Sequence, residues 1–439
     1  MYYWHEILFL VLLIINLIIL VIFSIPLLLQ FFQVFVAFFS VKKRYKKADR
    51  KVKFAFIIPA HNEEDVIYDT VKDILENQDY DKDKIKVYVV ADNCSDKTKE
   101  LALKAGAITL ERNDPDPAHH AARFPLQFGI DYILKNDEEV ELIVHADADN
   151  HFNSKFCELM NDAYVTKNYQ FLRPFEGSIN GTQNFFTKAC CFFYAFDSRI
   201  GARSREVLRL AQHVQGSGAT MSRSMLLSCG GYDATSISDD TDFCFRRLLE
   251  GTKAHFVEEA IIYEDMPSTA QDTYARNSRI KFGAKELFKE HVSKMPAKFF
   301  KTGDFSFLEI PLTYIWLFIG APFFIWLFSF AAMFFTYVGL SIGGIIPLSH
   351  YSVDGFKSML WMLLNVVVVI AIVAFLLFYV GVSISLIKNY KMYGAKKRRE
   401  MLSLVFFLPF YLIVYSFSLN EKRQSKRGWE KVKRNKEKE

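Results

Sequence analysis

Hydrophobic positions fall into two kinds of run. At both ends of the chain they are continuous, and in the middle they come in short blocks with strand or helix period. From Ile7 to Phe39 the sequence is almost entirely apolar, interrupted by Asn16, Ser24, Pro26, Gln30 and Gln33. A membrane span needs about 20 apolar residues, so this run predicts a span with an extension and a kink expected at Pro26. It is too long for a signal-peptide core, and no convincing small-residue cleavage site accompanies it. Apolar blocks return from about Ile310 to Pro347, Met359 to Ile387 and Met401 to Leu419.

Between the ends the periods shorten. Phe54 to Ile58 reads as a buried strand closed by Pro59, with Ala60-His61-Asn62-Glu63-Glu64 as the turn. Val66, Ile67, Thr70, Val71, Ile74 and Leu75 then recur with helical spacing. Ile85 to Val90 predicts a second strand, a helix through Leu101 and Ala105 is closed by Gly106, and Ala107 to Leu110 predicts a third strand. A helix over Phe128 to Leu134 leads to Leu142-Ile143-Val144, whose apolar and β-branched residues suit a sheet covered on both faces. Strands alternating with helices imply a mostly parallel sheet with right-handed crossovers. No Gly-x-Gly-x-x-Gly opens the first helix, so the usual dinucleotide fold is unsupported.

Three of these strands end in polar turns: Asn62-Glu63, Asp92-Asn93 and Asp147-Ala148-Asp149. Each alone is ordinary turn chemistry. Their recurrence at one carboxyl edge of an α/β sheet points to a shared ligand site. Asp147 and Asp149 repel unless a cation lies between them, and a hard divalent ion would bring a diphosphate with it. Further on, Gly216 to Gly231 is rich in Gly and Ser. Asp239, Asp240 and Asp242 then precede an amphipathic helix containing Phe243, Phe245, Leu248 and Leu249. One acid or Ser238 would serve as a cap, and three acids in four residues exceed that need. Arg276 and Arg279 stand one helical turn apart, where both can face a phosphate.

Composition sharpens the picture at two points. The 439 residues exceed one simple domain, and the 51% hydrophobic content, with 43 Phe, concentrates at the ends. The net charge of +5 comes from short basic runs beside the apolar blocks, as at Lys42 to Lys47, Lys396 to Arg399 and Lys422 to Lys438. Such runs read as cytoplasmic topology signals and anionic-lipid contacts, not as a nucleic-acid site. A cytoplasmic tail requires an even number of crossings, so one late block is expected to be a hairpin or to dip in and return. The six cysteines form no Cys-x-x-Cys and read as reduced and cytoplasmic.

In this order and spacing the motifs resemble membrane-embedded glycosyltransferases of family 2, the group containing cellulose and hyaluronan synthases. The family's opening pattern is similar to Pro59-Ala60-His61-Asn62-Glu63-Glu64, its nucleotide-binding Asp to Asp92, and its metal-binding Asp-x-Asp to Asp147-Ala148-Asp149. Its Gly-x-Gly resembles Gly216-Ser217-Gly218, and its catalytic Thr-Glu-Asp resembles Ser238-Asp239-Asp240. The tail at Arg427-Gly428-Trp429-Glu430-Lys431 is also similar to some members. Two departures stand out. The Gln-x-x-Arg-Trp appears as Arg276-Asn277-Ser278-Arg279-Ile280, keeping Arg and losing Gln and Trp. That puts processive synthesis in doubt. A Gly-Lys-Gly is replaced by Ala121-Ala122-Arg123, where Arg123, His119 or His120 would supply the missing charge.

The resemblance implies an α/β GT-A fold, Rossmann-like with a mostly parallel sheet. It places this domain in the cytoplasm between N- and C-terminal transmembrane helices. Residues 1–41 are expected to be the first membrane segment, 52–290 the catalytic domain and 291–308 an interfacial helix. Residues 309–420 form the second membrane region and 421–439 a basic tail. The implied reaction is inverting transfer from a nucleoside-diphosphate sugar, a UDP-sugar first, to a lipid or glycan hydroxyl with Mn²⁺ or Mg²⁺. Asp240, with Asp239 beside it, is the expected general base, and Arg279 the cation at the leaving diphosphate. Asp149 and Asp147 would hold the metal. Pro59, Asn62, Glu63, Asp92, Asn93, Asp147, Arg123 and Arg276 would line the donor site. A polyprenyl-phosphate glycosyltransferase and a non-catalytic partner of a polysaccharide synthase are the alternatives.

Overall fold

The structure is a computed structural model and describes residues 2–38, 45–315, 326 and 355–402. The apolar blocks and basic tail beyond these ranges lie outside the described residues.

Eight strands form one sheet in the order β3-β2-β1-β4-β7-β6-β8-β5. They are β1 (Lys53–Ala60), β2 (Ile85–Asp92), β3 (Ile108–Arg112), β4 (Val140–His145), β5 (His151–Phe152), β6 (Phe171–Ser178), β7 (Thr220–Ser222) and β8 (His255–Glu264). Strand β1 is central and its residues divide between two cores. Phe54, Phe56 and Ile58 join the core that contains Phe152 and Phe156. Ala55 and Ile57 join the opposite core with Leu126, Ile130 and Ile133. Burial on both faces is why this strand reads as a continuous apolar run. Helix α4 (Arg123–Asn136) lies so close to the sheet that a Cβ on Gly129 would run into Ile57.

The parallel expectation holds for half of the sheet. Strands β1, β2, β3 and β4 are mutually parallel, and β1 pairs with β2 on one side and β4 on the other. That reversal of strand order makes a topological switch point at the carboxyl ends of β1 and β4. Beyond β4 the sheet is mixed, because β7 pairs antiparallel with both β4 and β6. Strand β7 is three residues long and enters from the Gly216–Gly218 turn, so no crossover helix restores the parallel direction. Other helices are α2 (Ile67–Glu76), α3 (Thr98–Ala105), α5 (Phe156–Lys167), α6 (Phe185–Tyr194), α7 (Arg203–Leu208) and α8 (Arg223–Ser228). Helix α9 (Asp239–Glu250) and the 21-residue α10 (Ala270–Glu290) follow, then α11 (Met295–Thr302).

The first apolar run is a single helix, α1 (Tyr2–Ala37), continuing through Pro26. It packs along α12 (Gly355–Lys388), where a Cβ on Gly381 would lie 2.5 Å from Val34 Cγ1. Small residues permit such close helix contact. Among the described residues one stretch, Ile14–Ala37, is long and apolar enough to cross a membrane. The foot of α1 is tied to the sheet-bearing unit by polar groups. Gln33 Nε2 donates to Glu309 Oε1 at 2.8 Å, and Arg205 grips the same carboxylate through Nε at 3.1 Å and Nη2 at 2.8 Å.

Candidate active site

The turns after β1 and β2 are built as one unit. Asn62 and Asn93 both adopt left-handed backbone, φ 57° and 48°, a conformation asparagine tolerates well. The Asn62 Oδ1 accepts from the Ser95 amide at 2.8 Å, and the Glu63 amide donates to Thr98 Oγ1 at 2.7 Å. The Asn93 Oδ1 accepts from the Asp114 amide at 2.9 Å. Pro59 is buried in β1, in register with Val90. Asp92 is buried and faces Arg112 Nη1 at 2.5 Å. Arg112 thus closes the corner from the end of β3, a role that no motif in the sequence announces. The Phe124 ring takes the Arg123 guanidinium at 4.5 Å and the Arg112 guanidinium at 5.6 Å. Arg123 also donates to the Ser236 carbonyl at 3.2 Å, joining this corner to the acidic run.

The Asp147-Ala148-Asp149 turn is the second part. Asp147 keeps 52% of its side chain exposed, and Asp149 is half-buried. The Asp147 Oδ2 accepts from Ser217 Oγ at 2.6 Å, and its amide donates to Asn150 Oδ1 at 2.9 Å. Two solvent-reached carboxylates at a strand end are hard oxygen donors, and they fit Mn²⁺ or Mg²⁺ with places left for water or diphosphate oxygens. His145, two residues earlier, is 7% exposed, and its buried Nε2 makes no hydrogen bond.

The acidic run forms the third part. The Ser238 side chain makes no capping bond at the start of α9. Asp242 instead reaches back, and its Oδ2 accepts from the Thr235 and Ser236 amides at 2.7 and 3.0 Å. Its Oδ1 meets His291 Nε2 at 2.6 Å and Arg246 Nε at 2.9 Å. Burial works to raise this acid, but His291, the Thr235 amide and Arg246 together hold it well below the usual range. Asp242, His291 and Glu290 have metal-like spacing, yet hydrogen bonds already occupy both Asp242 oxygens. Asp242 is therefore the structural member of the run.

Asp239 and Asp240 differ from it. Asp239 Oδ2 accepts from the Tyr232 hydroxyl at 3.2 Å. Burial, then the charge of Asp240, pushes its carboxyl up to about 6. Asp240 is raised as well, mainly by burial, although the Thr241 amide and His145 oppose the shift. Asp240 and His145 line one small cavity with Gly216, Tyr232 and Phe243. A Cβ on Gly216 would stand 3.0 Å from His145 Cε1 and 3.7 Å from Asp240 Oδ2. Gly218 has φ 73°, and a Cβ there would come within 2.6 Å of Pro174. Gly216 lets the backbone pass close to His145 and Asp240, Gly218 lets it pass against Pro174 and Ile262, and Ser217 between them reaches Asp147.

Arg276 and Arg279 lie on α10. The Arg276 guanidinium covers the Tyr194 ring at 5.1 Å, hydrogen-bonds the Tyr194 hydroxyl and stands 3.8 Å from Glu264. Arg279, one turn on, is exposed. The structure thus brings Asp147, Asp239 and Asp240 together around His145 and Gly216–Gly218, with the Asp92 corner joined to the acidic run through Arg123.

Acids at the switch point of the sheet stand where open α/β sheets bind their ligands. The family comparison agrees: residues 142–417 match the model for glycosyl transferase family group 2, and residues 55–163 match glycosyl transferase family 2. The chain belongs to glycosyl transferase family group 2. It is similar to the probable glycosyltransferase YdaM of Bacillus subtilis, with 27% identity over 57% of this chain and 58% of the relative. It is also similar to a β-monoglucosyldiacylglycerol synthase of Trichormus variabilis, with 23% identity over 51% of this chain and 47% of the relative. The chain thus spans about half the length of the curated relatives it matches. A solved mannosyltransferase of Pyrobaculum calidifontis, in complex with GDP-Man and Mn²⁺, aligns over 92% of this chain and 99% of its own at 14% identity and a TM-score of 0.46.

Proposed function

We propose that this chain transfers a sugar, with inversion, from a nucleoside-diphosphate donor to a hydroxyl of a lipid or glycan. The observation that carries the reading is the placement of Asp240, a desolvated carboxylate one glycine segment away from the open Asp147–Asp149 edge. The donor diphosphate lies at that edge, and the nucleotide reaches the corner of Asn62, Glu63, Asp92, Asn93 and Arg123. Asp149 and Asp147 would hold Mn²⁺ or Mg²⁺, which supplies charge stabilisation to the leaving diphosphate. Asp240 takes the proton of the attacking hydroxyl, and its raised pKa matches a base to neutral pH. Burial keeps that pKa up, and the charge of Asp240 in turn raises Asp239. Arg279 stabilises the departing diphosphate. One displacement inverts the anomeric carbon.

Membrane attachment belongs to the same proposal. Helices α1 and α12 expose Ile14, Ile18, Ile22, Ile25, Val369, Ile370 and Leu376. Such an apolar patch suits lipid and not water. Helix α11 adds Phe300, 83% exposed, beside Lys298 and Lys301, a pattern that suits the membrane surface. The basic runs favour a catalytic unit on the cytoplasmic side. The name of the Trichormus relative, a glycolipid synthase, favours a lipid hydroxyl as acceptor.

The test is a hydrolysis screen of UDP- and GDP-sugars with the purified full chain and Mn²⁺ or Mg²⁺. The expected result is metal-dependent release of UDP or GDP from at least one donor, abolished by EDTA. Release from none, with the protein folded, overturns the proposal.

A further inference from the structure

Helix α10 touches both ends of the site. Near its start, Arg276 is bound to Tyr194, whose hydroxyl donates to Glu264 Oε2 at 2.9 Å. Glu264 ends β8 and is largely buried, with 14% of its side chain exposed. The Ser217 hydroxyl donates to Asp147 at 2.6 Å, and the next residue, Gly218, packs so closely on β8 that a Cβ there would lie 2.8 Å from Ile262, two residues before Glu264. A run of contacts therefore leads from the Asp147 carboxylate through the Ser217–Gly218 turn, the end of β8 and Tyr194 to α10.

Farther along, the same helix grips the acidic run. A Cβ on Gly283 would collide with Ser238, so α10 lies directly on the residue that begins α9. Glu286 Oε2 accepts from Ser236 Oγ at 2.8 Å and from the Ile237 amide at 3.3 Å. Just past the helix end, His291 holds Asp242 at 2.6 Å. The three contacts pin the segment that carries Asp239 and Asp240.

We propose that α10 couples the two ends: Tyr194 and Glu264 tie it to Asp147, Gly283, Glu286 and His291 tie it to the start of α9, and donor binding at Asp147 thereby sets the position of Asp240. Tyr194 and Glu264 are positioning residues in this account, since neither touches the reacting atoms. The proposal rests on the donor site proposed above. Its benefit is chemical order: a bound donor tightens the hold on a base that α10 already contacts. A rigid element held at both sites can carry such coupling, and a helix of 21 residues supplies one.

Hydrogen–deuterium exchange on the full chain tests it, with Mn²⁺ alone and Mn²⁺ with UDP or GDP as probes. In the wild type, nucleotide with Mn²⁺ slows exchange in the turns after β1 and β2. It also slows exchange over α10 by about 10-fold, an ordinary size for coupled sites. Tyr194→Phe keeps the ring and removes the hydroxyl. This variant retains the slowing in the turns and loses it over α10, with ligand-free exchange and melting unchanged. If Tyr194→Phe perturbs the fold, Glu264→Ala cuts the same link from the β8 side and decides the matter. Full slowing over α10 in a folded variant of either kind overturns the coupling and leaves the donor site standing. A wild type whose β1 and β2 turns respond to neither nucleotide overturns the donor site, and the coupling falls with it.

Discussion

The molecule carries two acid pairs whose surroundings differ. Asp147 and Asp149 sit at a strand end, the first with half its side chain in solvent and the second half-buried. Asp239 and Asp240 are both half-buried beside Tyr232 and Gly216, and desolvation raises both. Carboxylates that solvent reaches offer hard oxygens to a cation. A desolvated pair resists ionisation and so takes up protons readily. Environments that differ in this way suit the binding and proton-transfer roles proposed for the two pairs. The residue type is the same in all four places; only solvent and neighbours differ.

The largest expected effect comes from breaking the open pair. Asp149→Ala should abolish metal-dependent nucleotide binding while the fold persists, checked by calorimetry with and without EDTA. Unchanged affinity under both conditions would remove the metal from this edge. Next comes the charge that serves the same end. Arg279→Ala should reduce turnover by about 100-fold, the roughly 3 kcal/mol typical of a lost electrostatic stabiliser of developing charge, with donor affinity nearly constant. A change confined to affinity would make Arg279 a binding group only.

The third acid of the run sharpens the contrast, since Asp242 has partners on both oxygens. Asp242→Asn should cost about 2 kcal/mol of stability through weakened charge-assisted hydrogen bonds, seen as a lower melting temperature. A smaller effect is expected from the neighbour of the base. The base acts ionised and burial raises it, so turnover should fall with acid at a pH above the ordinary carboxylate range, while its neighbour Asp239 takes up a proton at about 6. Because the folded pKa is raised, the folded state binds protons more readily than the unfolded chain. The stability contribution of this pair therefore exists at low pH and is lost as pH rises through that value. Asp239→Asn removes the repelling charge and should move the acid limb of the pH–rate profile downward. An unmoved limb would show that the two acids titrate independently.

Much of this architecture is legible in the sequence. Strand β1 is visible because burial on both faces leaves an unbroken apolar run, and the polar turns stand where strand ends must be. The Asp147 and Asp240 motifs keep their spacing. Other features have no local signature. The antiparallel β7 spans only three residues, too few for period to show. Arg112 is one basic residue among many until β3 sets it beside Asp92. Ser238 has the residue type of a cap, but its side chain makes no capping bond, and Asp242 reaches back to the Thr235 and Ser236 amides ahead of the helix. Arg276 stacks on Tyr194, 82 residues away in sequence, which no spacing rule announces. What sequence period encodes is burial along one element; what it leaves out is pairing between elements.

The central claim is that Asp240 is the base and the open pair is the binding end. The direct measurement is steady-state transfer by Asp240→Asn, with donor affinity measured on the same protein. Asn caps a helix about as well as Asp, so folding should survive. The maximal rate should fall by about 100-fold or more, as loss of a positioned base requires, while donor affinity stays at the wild-type value. Retained turnover in Asp240→Asn with loss in Asp239→Asn would move the base by one residue. Retained turnover in both would contradict the account and favour an acceptor, such as a phosphate, that needs no base.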